Sequence, residues 1–178
     1  MKTNNILLHT CCAPCLVYVH EKLDEMNVSF DTYFYNPNIH PIKEHAKRLS
    51  TLRDYTSMYN LSLIENDEFL QEKWENGFKC EDCYKIRLDK AAQYAKLNDY
   101  KAFSTTLLVS IYQNHDLIIN ICNELEIKYD IEFMYHDFRE GYRKGQNKAR
   151  ELGLYRQKYC GCINSYNSSN FKEKINWD

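Results

Sequence analysis

Short apolar runs alternate with longer amphipathic stretches along most of this 178-residue chain, and few folds accommodate that rhythm. Asn5 to His9, Val28 to Tyr35, Leu61 to Ile64, Ala102 to Val109 and Ile131 to Tyr135 read as strands. Between and after them, Pro14 to Met26, Pro41 to Tyr59, Glu81 to Leu97, Asn114 to Leu125 and Gly141 to Leu152 carry apolar residues at helical spacing, with a short helix expected over Asp67 to Trp74. Strands joined by helical crossovers pair in parallel, because a parallel connection needs the length of a helix. The expected fold is therefore α/β: a single domain over residues 1–178, built as a Rossmann-like parallel sheet flanked by helices. In such sheets ligands bind beyond the carboxyl ends of the strands. Those ends would gather the Cys11 to Cys15 segment, Asn36-Pro37-Asn38, Ser110 and Asp137 into one cleft.

Eight cysteines need a reason other than stapling, since a chain of this length buries an adequate core unaided. No apolar run approaches the roughly 20 residues of a membrane span, and the opening Met1-Lys2-Thr3-Asn4-Asn5 does not read as a signal peptide. A cytoplasmic location is expected. In that reducing compartment, closely spaced thiols serve metals or redox chemistry more often than structural bridges. Cys11-Cys12-Ala13-Pro14-Cys15 follows the first strand directly, and Cys80-Glu81-Asp82-Cys83 opens a helix, where thiolate is favoured over thiol. Together they offer enough soft ligands for zinc or an iron–sulfur cluster. Adjacent cysteines point in different directions, which suits a larger cluster or two nearby metals better than one tetrahedral zinc. Cys160-Gly161-Cys162 is a third constellation. One residue separates its thiols, so a bond between them would be strained and labile, although two further metal ligands or two idle thiols fit the spacing too. Cys122, in an apolar helix, reads as a small core residue.

Charge is uneven despite a net of −2. Leu61 to Cys83 holds seven acidic residues against Lys73 and Lys79, whereas Arg139 to Lys158 holds seven basic residues against Glu140 and Glu151. The basic stretch is interleaved with Tyr142, Tyr155 and Tyr159. It can grip phosphates and stack bases, or it can be an ordinary solvated face. Asp137 and Arg139 would bring a carboxylate and a guanidinium to the cleft, with Asp137 as metal ligand, proton donor or helix cap. Tyr35, Asn36 and Asn38 are candidates for a polar substrate, though turns use Asn and Pro anyway. His9 is expected to be a structural hydrogen-bonding residue.

Several blocks, taken in order, resemble the cobalamin-independent epoxyqueuosine reductases of the QueH family. They are Leu8-His9-Thr10-Cys11-Cys12-Ala13-Pro14-Cys15, Tyr35-Asn36-Pro37-Asn38-Ile39-His40-Pro41 and Cys80-x-x-Cys83-Tyr84-Lys85-Ile86-Arg87-Leu88, then Phe103 to Ser110, Asp137-Phe138-Arg139 and Tyr155-Arg156-Gln157-Lys158-Tyr159-Cys160-Gly161-Cys162. The resemblance implies a HUP-like α/β fold, a [4Fe-4S] cluster with an adjacent mononuclear iron, and reduction of epoxyqueuosine to queuosine at the wobble position of tRNA, the last step of queuosine biosynthesis. It further implies Cys11, Cys12, Cys80 and Cys83 as cluster ligands, Cys160 and Cys162 as a redox-active disulfide, and Cys15 or Asp137 at the second iron. An electron donor, unidentified from the sequence, is required. Arg139, Arg156 and Gln157 are expected to hold the anticodon loop. A zinc-stabilised RNA-binding module and a metal-free thiol–disulfide oxidoreductase are the other readings. An ATP-dependent tRNA-thiolating enzyme fits less well, because Thr10-Cys11-Cys12-Ala13-Pro14 lacks the glycines that let backbone amides approach a pyrophosphate.

Overall fold

The computed structural model describes residues 5–70 and 79–170. Its sheet has five strands, β1 (Ile6–His9), β2 (Phe30–Tyr35), β3 (Leu63–Asn66), β4 (Ala102–Thr105) and β5 (Glu132–Phe133), in the order β3-β2-β1-β4-β5. Every neighbouring pair is parallel, as the alternating pattern predicts. The chain starts in the middle, builds outward through β2 and β3, then returns to β1 and builds the other way. Connections therefore leave β1 and β4 in opposite directions, and a crevice opens beyond the paired His9 and Thr105.

β1 is buried throughout, with Leu7 and Leu8 fully inaccessible, which is why it reads as a continuous apolar run rather than an alternating one. Among the described residues six α-helices clothe the sheet: α1 (Ala13–Glu25), α2 (Ile42–Met58), α3 (Cys80–Leu97), α4 (His115–Tyr129), α5 (Tyr142–Glu151) and α6 (Ile163–Ser168). α1 packs on α2 and α5, while α3 packs on α4 and on β1, β2 and β4. The α1–α5 approach is close enough that a Cβ at Gly141 would enter the ring of Tyr18. Pro14 lies in the first turn of α1, where its missing N–H costs nothing.

The departures from expectation have local causes. The strand predicted over Ala102 to Val109 ends at Thr105, because the Leu107 amide donates to Thr105 Oγ1 at 3.1 Å and the chain tightens into a 3-10 turn over Thr106–Val109. β2 begins at Phe30, after Asn27 adopts φ 56° and the Val28 amide closes α1 on the Leu23 carbonyl. α4 runs to Tyr129, beyond the predicted Leu125, and is stopped by Asp130 in the left-handed region. Residues 67–70 carry no helix, and the rest of the helix expected over Asp67 to Trp74 lies outside the described residues. α6 was not anticipated; it starts where the Ser165 amide donates to Cys162 Sγ at 3.2 Å. Among the described residues no helix is long and apolar enough to cross a membrane.

Candidate metal and redox centre

Beyond the carboxyl ends of β1 and β4 lies a cavity of about 660 Å³ whose wall includes Cys11, Cys15, Cys80, Cys83, Cys160 and Cys162. Three constellations spread over most of the chain, from Cys11 to Cys162, thus face one space. Each is delivered by a different element: the turn from β1 into α1, the first turn of α3, and the loop leading into α6.

The first constellation is the tightest. The sulfurs of Cys11, Cys12 and Cys15 all lie within 4.8 Å of one another and are buried. Cys12 occupies the N-cap of α1 but makes no side-chain cap, which leaves its sulfur to the cluster. Cys11 and Cys12 share a hydrogen bond at 3.7 Å, and the Cys11 amide donates to Thr106 Oγ1 at 3.3 Å, tying the turn to the end of β4. Hydrogen bonds from the Cys12 and Cys15 thiols hold Cys11 well below the ordinary thiol pKa. Burial, followed by the bond to Cys11, pushes Cys12 up to about 12, and the bonds to Cys11 and Cys12 drive Cys15 well above its usual value. One thiolate flanked by two thiols results, a donor set that suits a thiophilic metal once the remaining protons leave.

Behind Cys11, His9 is fully buried and neutral, its pKa lowered to about 4 by desolvation and then by the Arg87 charge. Its Nε2 faces two acceptors, the Tyr35 carbonyl at 3.2 Å and Asn36 Oδ1 at 3.1 Å, so that nitrogen carries the proton. Nδ1 then accepts from Thr105 Oγ1 at 2.9 Å. Asn36 Nδ2 donates to the Thr10 carbonyl at 3.0 Å, so both ends of the Asn36 amide help lock the turn after β1. His9 thus has the structural role expected of it.

On the opposite wall, Asn38 Nδ2 lies 2.9 Å from Cys83 Sγ, and Asn38 Oδ1 accepts from Arg87 Nε at 2.8 Å. The third constellation is clamped from α2. Arg48 and Glu44 form an ion pair at 2.7 Å with side chains 2% and 0% exposed. Arg48 also donates to the carbonyls of Tyr159 at 2.8 Å and Cys160 at 3.0 Å, and Tyr155 Oη donates to Glu44 at 2.6 Å. Tyr159 Oη donates to the His40 carbonyl, and the His40 amide donates to the Gly161 carbonyl at 2.7 Å. Gly161 has φ +112°, and a Cβ there would lie 2.7 Å from Arg48 Nη1. Only glycine turns the chain so tightly against that guanidinium. The Cys160 and Cys162 sulfurs sit 3.5 Å apart as free thiols. A hydrogen bond from Cys162 outweighs burial to bring Cys160 down to about 5, and the same bond drives Cys162 upward.

Gln157 donates toward Cys12 Sγ at 3.1 Å and lines the cavity with Arg156, Lys158 and Tyr142. Tyr112, whose ring meets Tyr142 edge-on at 5.7 Å, joins that rim. Other expected site residues lie elsewhere. Asp137 and Arg139 are not on the cavity wall. They form a two-point pair at 2.7 and 2.9 Å, and Arg139 holds the Asp137 carboxyl down to about 2. The structure brings Cys15, not Asp137, to the neighbouring sulfurs. Tyr35 donates to Glu68 at 3.1 Å and, with Asn36 and Asn38, stands behind the wall rather than on it. Cys122 is fully buried in α4, in keeping with a core role.

Arg48, Arg87, Tyr112 and Gln146 on the wall were not singled out from the sequence. Arg87 carried a signal: it follows Cys83 by four residues on one helix and so shares its face. Arg48 carried none, because only the folded chain sets α2 beside the loop 112 residues away.

The family model described as epoxyqueuosine reductase QueH matches residues 6–168. Curated relatives carrying that name include one from Dehalococcoides mccartyi, 34% identical with 90% of this chain and 91% of the relative covered. One from Thermotoga maritima is 34% identical with 89% and 88% covered, and one from Histophilus somni is 32% identical with 97% and 79% covered.

Proposed function

The chain belongs to the epoxyqueuosine reductase QueH family, and from that premise we propose that this enzyme reduces epoxyqueuosine to queuosine in tRNA at an iron–sulfur centre held in the cavity. The observation that carries the reading is the convergence of three cysteine constellations on one space at the switch point of the sheet.

Turning an epoxide into an alkene removes one oxygen as water and consumes two electrons and two protons. Oxidation of the Cys160 thiolate and the Cys162 thiol to a disulfide releases two electrons and one proton, so the pair supplies the electrons of one turnover and one of its protons, and water supplies the other. An external donor, unidentified, then returns the disulfide to dithiol. The low pKa of Cys160 keeps a thiolate ready at neutral pH, while Cys162 retains its proton until the pair is oxidised. Cys11, Cys12, Cys80 and Cys83 would hold a [4Fe-4S] cluster and Cys15 an adjacent iron, and an all-sulfur donor set, buried on the Cys11 to Cys15 side and more open at Cys80, fits such a group. Bound there, it supplies one-electron chemistry and a Lewis acid for the departing oxygen. Gln157 spans from the first cysteine cluster to the rim and orients the substrate. Arg156 and Lys158 engage anticodon-loop phosphates, and Tyr142 and Tyr112 offer surfaces on which the splayed base stacks. Because Asp137 is paired and ionised off the cavity wall, the two protons are assigned to the Cys162 thiol and water instead.

The test is anaerobic. Iron-reconstituted protein, given epoxyqueuosine-tRNA and a chemical reductant, is expected to form queuosine, and Cys160→Ser with Cys162→Ser to abolish turnover on the dithiol's electrons alone. A verified cluster-bearing sample that forms none contradicts the reading. A colourless, zinc-loaded, inactive protein that still binds tRNA would instead identify a binding module.

A further inference from the structure

Arg87 is a cation in an expensive place. It is 3% exposed, yet among the described residues no carboxylate pairs with it, whereas its counterpart Arg48 across the cavity has Glu44 at 2.7 Å. An uncompensated charge at that depth costs several kcal/mol, so it persists where something of opposite sign is to be met. Asn38 links it to such a place, the sulfur of Cys83. Cys80, Cys83 and Arg87 follow one another at helical spacing on α3, and all three reach the cavity wall.

The hydrogen bonds fix the sense of the connection. A guanidinium only donates, so Arg87 Nε must face the Asn38 carbonyl oxygen, as it does at 2.8 Å. The Asn38 amide is thereby oriented, and its N–H points at Cys83 Sγ across 2.9 Å. A positive charge polarises that N–H toward the sulfur, and hydrogen bonds in series reinforce one another where water is excluded. In a merely structural role Arg87 would need only its bond to Asn38, and an uncharged donor would serve.

Resting on the reading that these cysteines hold an iron–sulfur cluster, we propose that Arg87, acting through Asn38 on Cys83, is the charge-compensating residue that raises the reduction potential of that cluster. Thiolates and added electrons make the centre more negative, and a fixed cation beside one ligand favours the reduced state. Charge and hydrogen bonds at the sulfurs are the levers by which proteins tune such potentials.

The test compares Arg87→Gln with Arg87→Lys in reconstituted protein, by potentiometric titration and by iron and sulfide content. Both replacements keep a donor for Asn38, but only Gln removes the charge. Arg87→Gln is expected to lower the reduced fraction at fixed potential at least tenfold, a shift of about −59 mV for a one-electron couple, while Arg87→Lys stays near wild type. An unchanged potential in Arg87→Gln, or equal shifts in both, would overturn the proposal. Should Arg87→Gln not fold, Asn38→Asp decides. It leaves Arg87 in place, neutralises it and removes the N–H donor, so it too must shift the potential negatively, and an unchanged value refutes the inference. Wild-type protein that takes up no iron or sulfide under reconstitution would fail at the earlier step, the cluster itself, and is recognised before any variant is measured.

Discussion

Replacing Arg48 with Met tests whether one buried ion pair holds the Cys160 to Cys162 loop in place. The side chain that remains, Glu44, is fully buried, and its surviving side-chain partner among the hydrogen bonds described above is Tyr155. Removing one member of a buried pair costs about 3–5 kcal/mol, because the other charge is left uncompensated. The carbonyls of Tyr159 and Cys160 also lose their donor, although the exposed position of Cys160 lets water recover part of that loss. We therefore expect anaerobic urea unfolding to show a loss of about 4 kcal/mol with little change in slope. Adding Glu44→Gln to Arg48→Met removes the stranded charge, so the double variant should recover about 2 kcal/mol, within the coupling expected of contacting residues. Alkylation of Cys160 should be faster in both, since the loop is released from α2. A loss below about 1 kcal/mol, or a double variant no more stable than the single one, would refute the argument that charge compensation is what Arg48 provides.

Four further variants test the same geometry. Gly161→Ala should cost at least 1–2 kcal/mol, roughly the penalty of a left-handed L-residue, and speed Cys160 alkylation, because the new methyl lies 2.7 Å from Arg48 Nη1. Gly153→Ala, at φ +70° with open space around it, should pay the strain yet leave alkylation unchanged. His45 is held at about 4 by burial and then by the Arg87 charge. The unfolded chain, with an ordinary value near 6.5, therefore takes up the proton first as pH falls. Stability is complete above about 6.5 and declines toward pH 4, and His45→Phe should flatten that decline in urea titrations across the window. Arg156→Ala should weaken tRNA binding and reduce the salt slope by about one, without changing iron content; an unaltered slope in filter-binding titrations would remove Arg156 from the phosphate contacts.

How much of this was legible in the sequence follows from what each residue answers to. The strands and their parallel pairing could be read because buried strands and amphipathic helices are local patterns, and the Cys11 turn falls where a strand hands over to a helix; the strand order came only with the fold. β4 was read too long because Thr106 to Val109 is as apolar as a strand, and only the Thr105 side chain turning back on the Leu107 amide stops it. The cysteines were legible as chemistry, since their spacing has few structural uses. What they were paired with was not. Asn38 looked like a turn residue open to substrate, yet Arg87 and Cys83 take both ends of its amide. Asp137 and Arg139 looked like two functional groups at a strand end, and their separation of two residues lets each satisfy the other. Arg48 lacks any motif and matters through contacts made only in the folded chain.

The most direct measurement is the iron and acid-labile sulfide content of anaerobically reconstituted protein, compared with Cys11→Ser and Cys83→Ser. If the cavity joins two walls around one cluster with an adjacent iron at Cys15, the wild type holds sulfide together with iron in excess of it by that one ion, and each substitution, though the residues lie on different elements, removes most of both. Zinc without sulfide, or a Cys83→Ser protein that retains the full complement, would contradict the account.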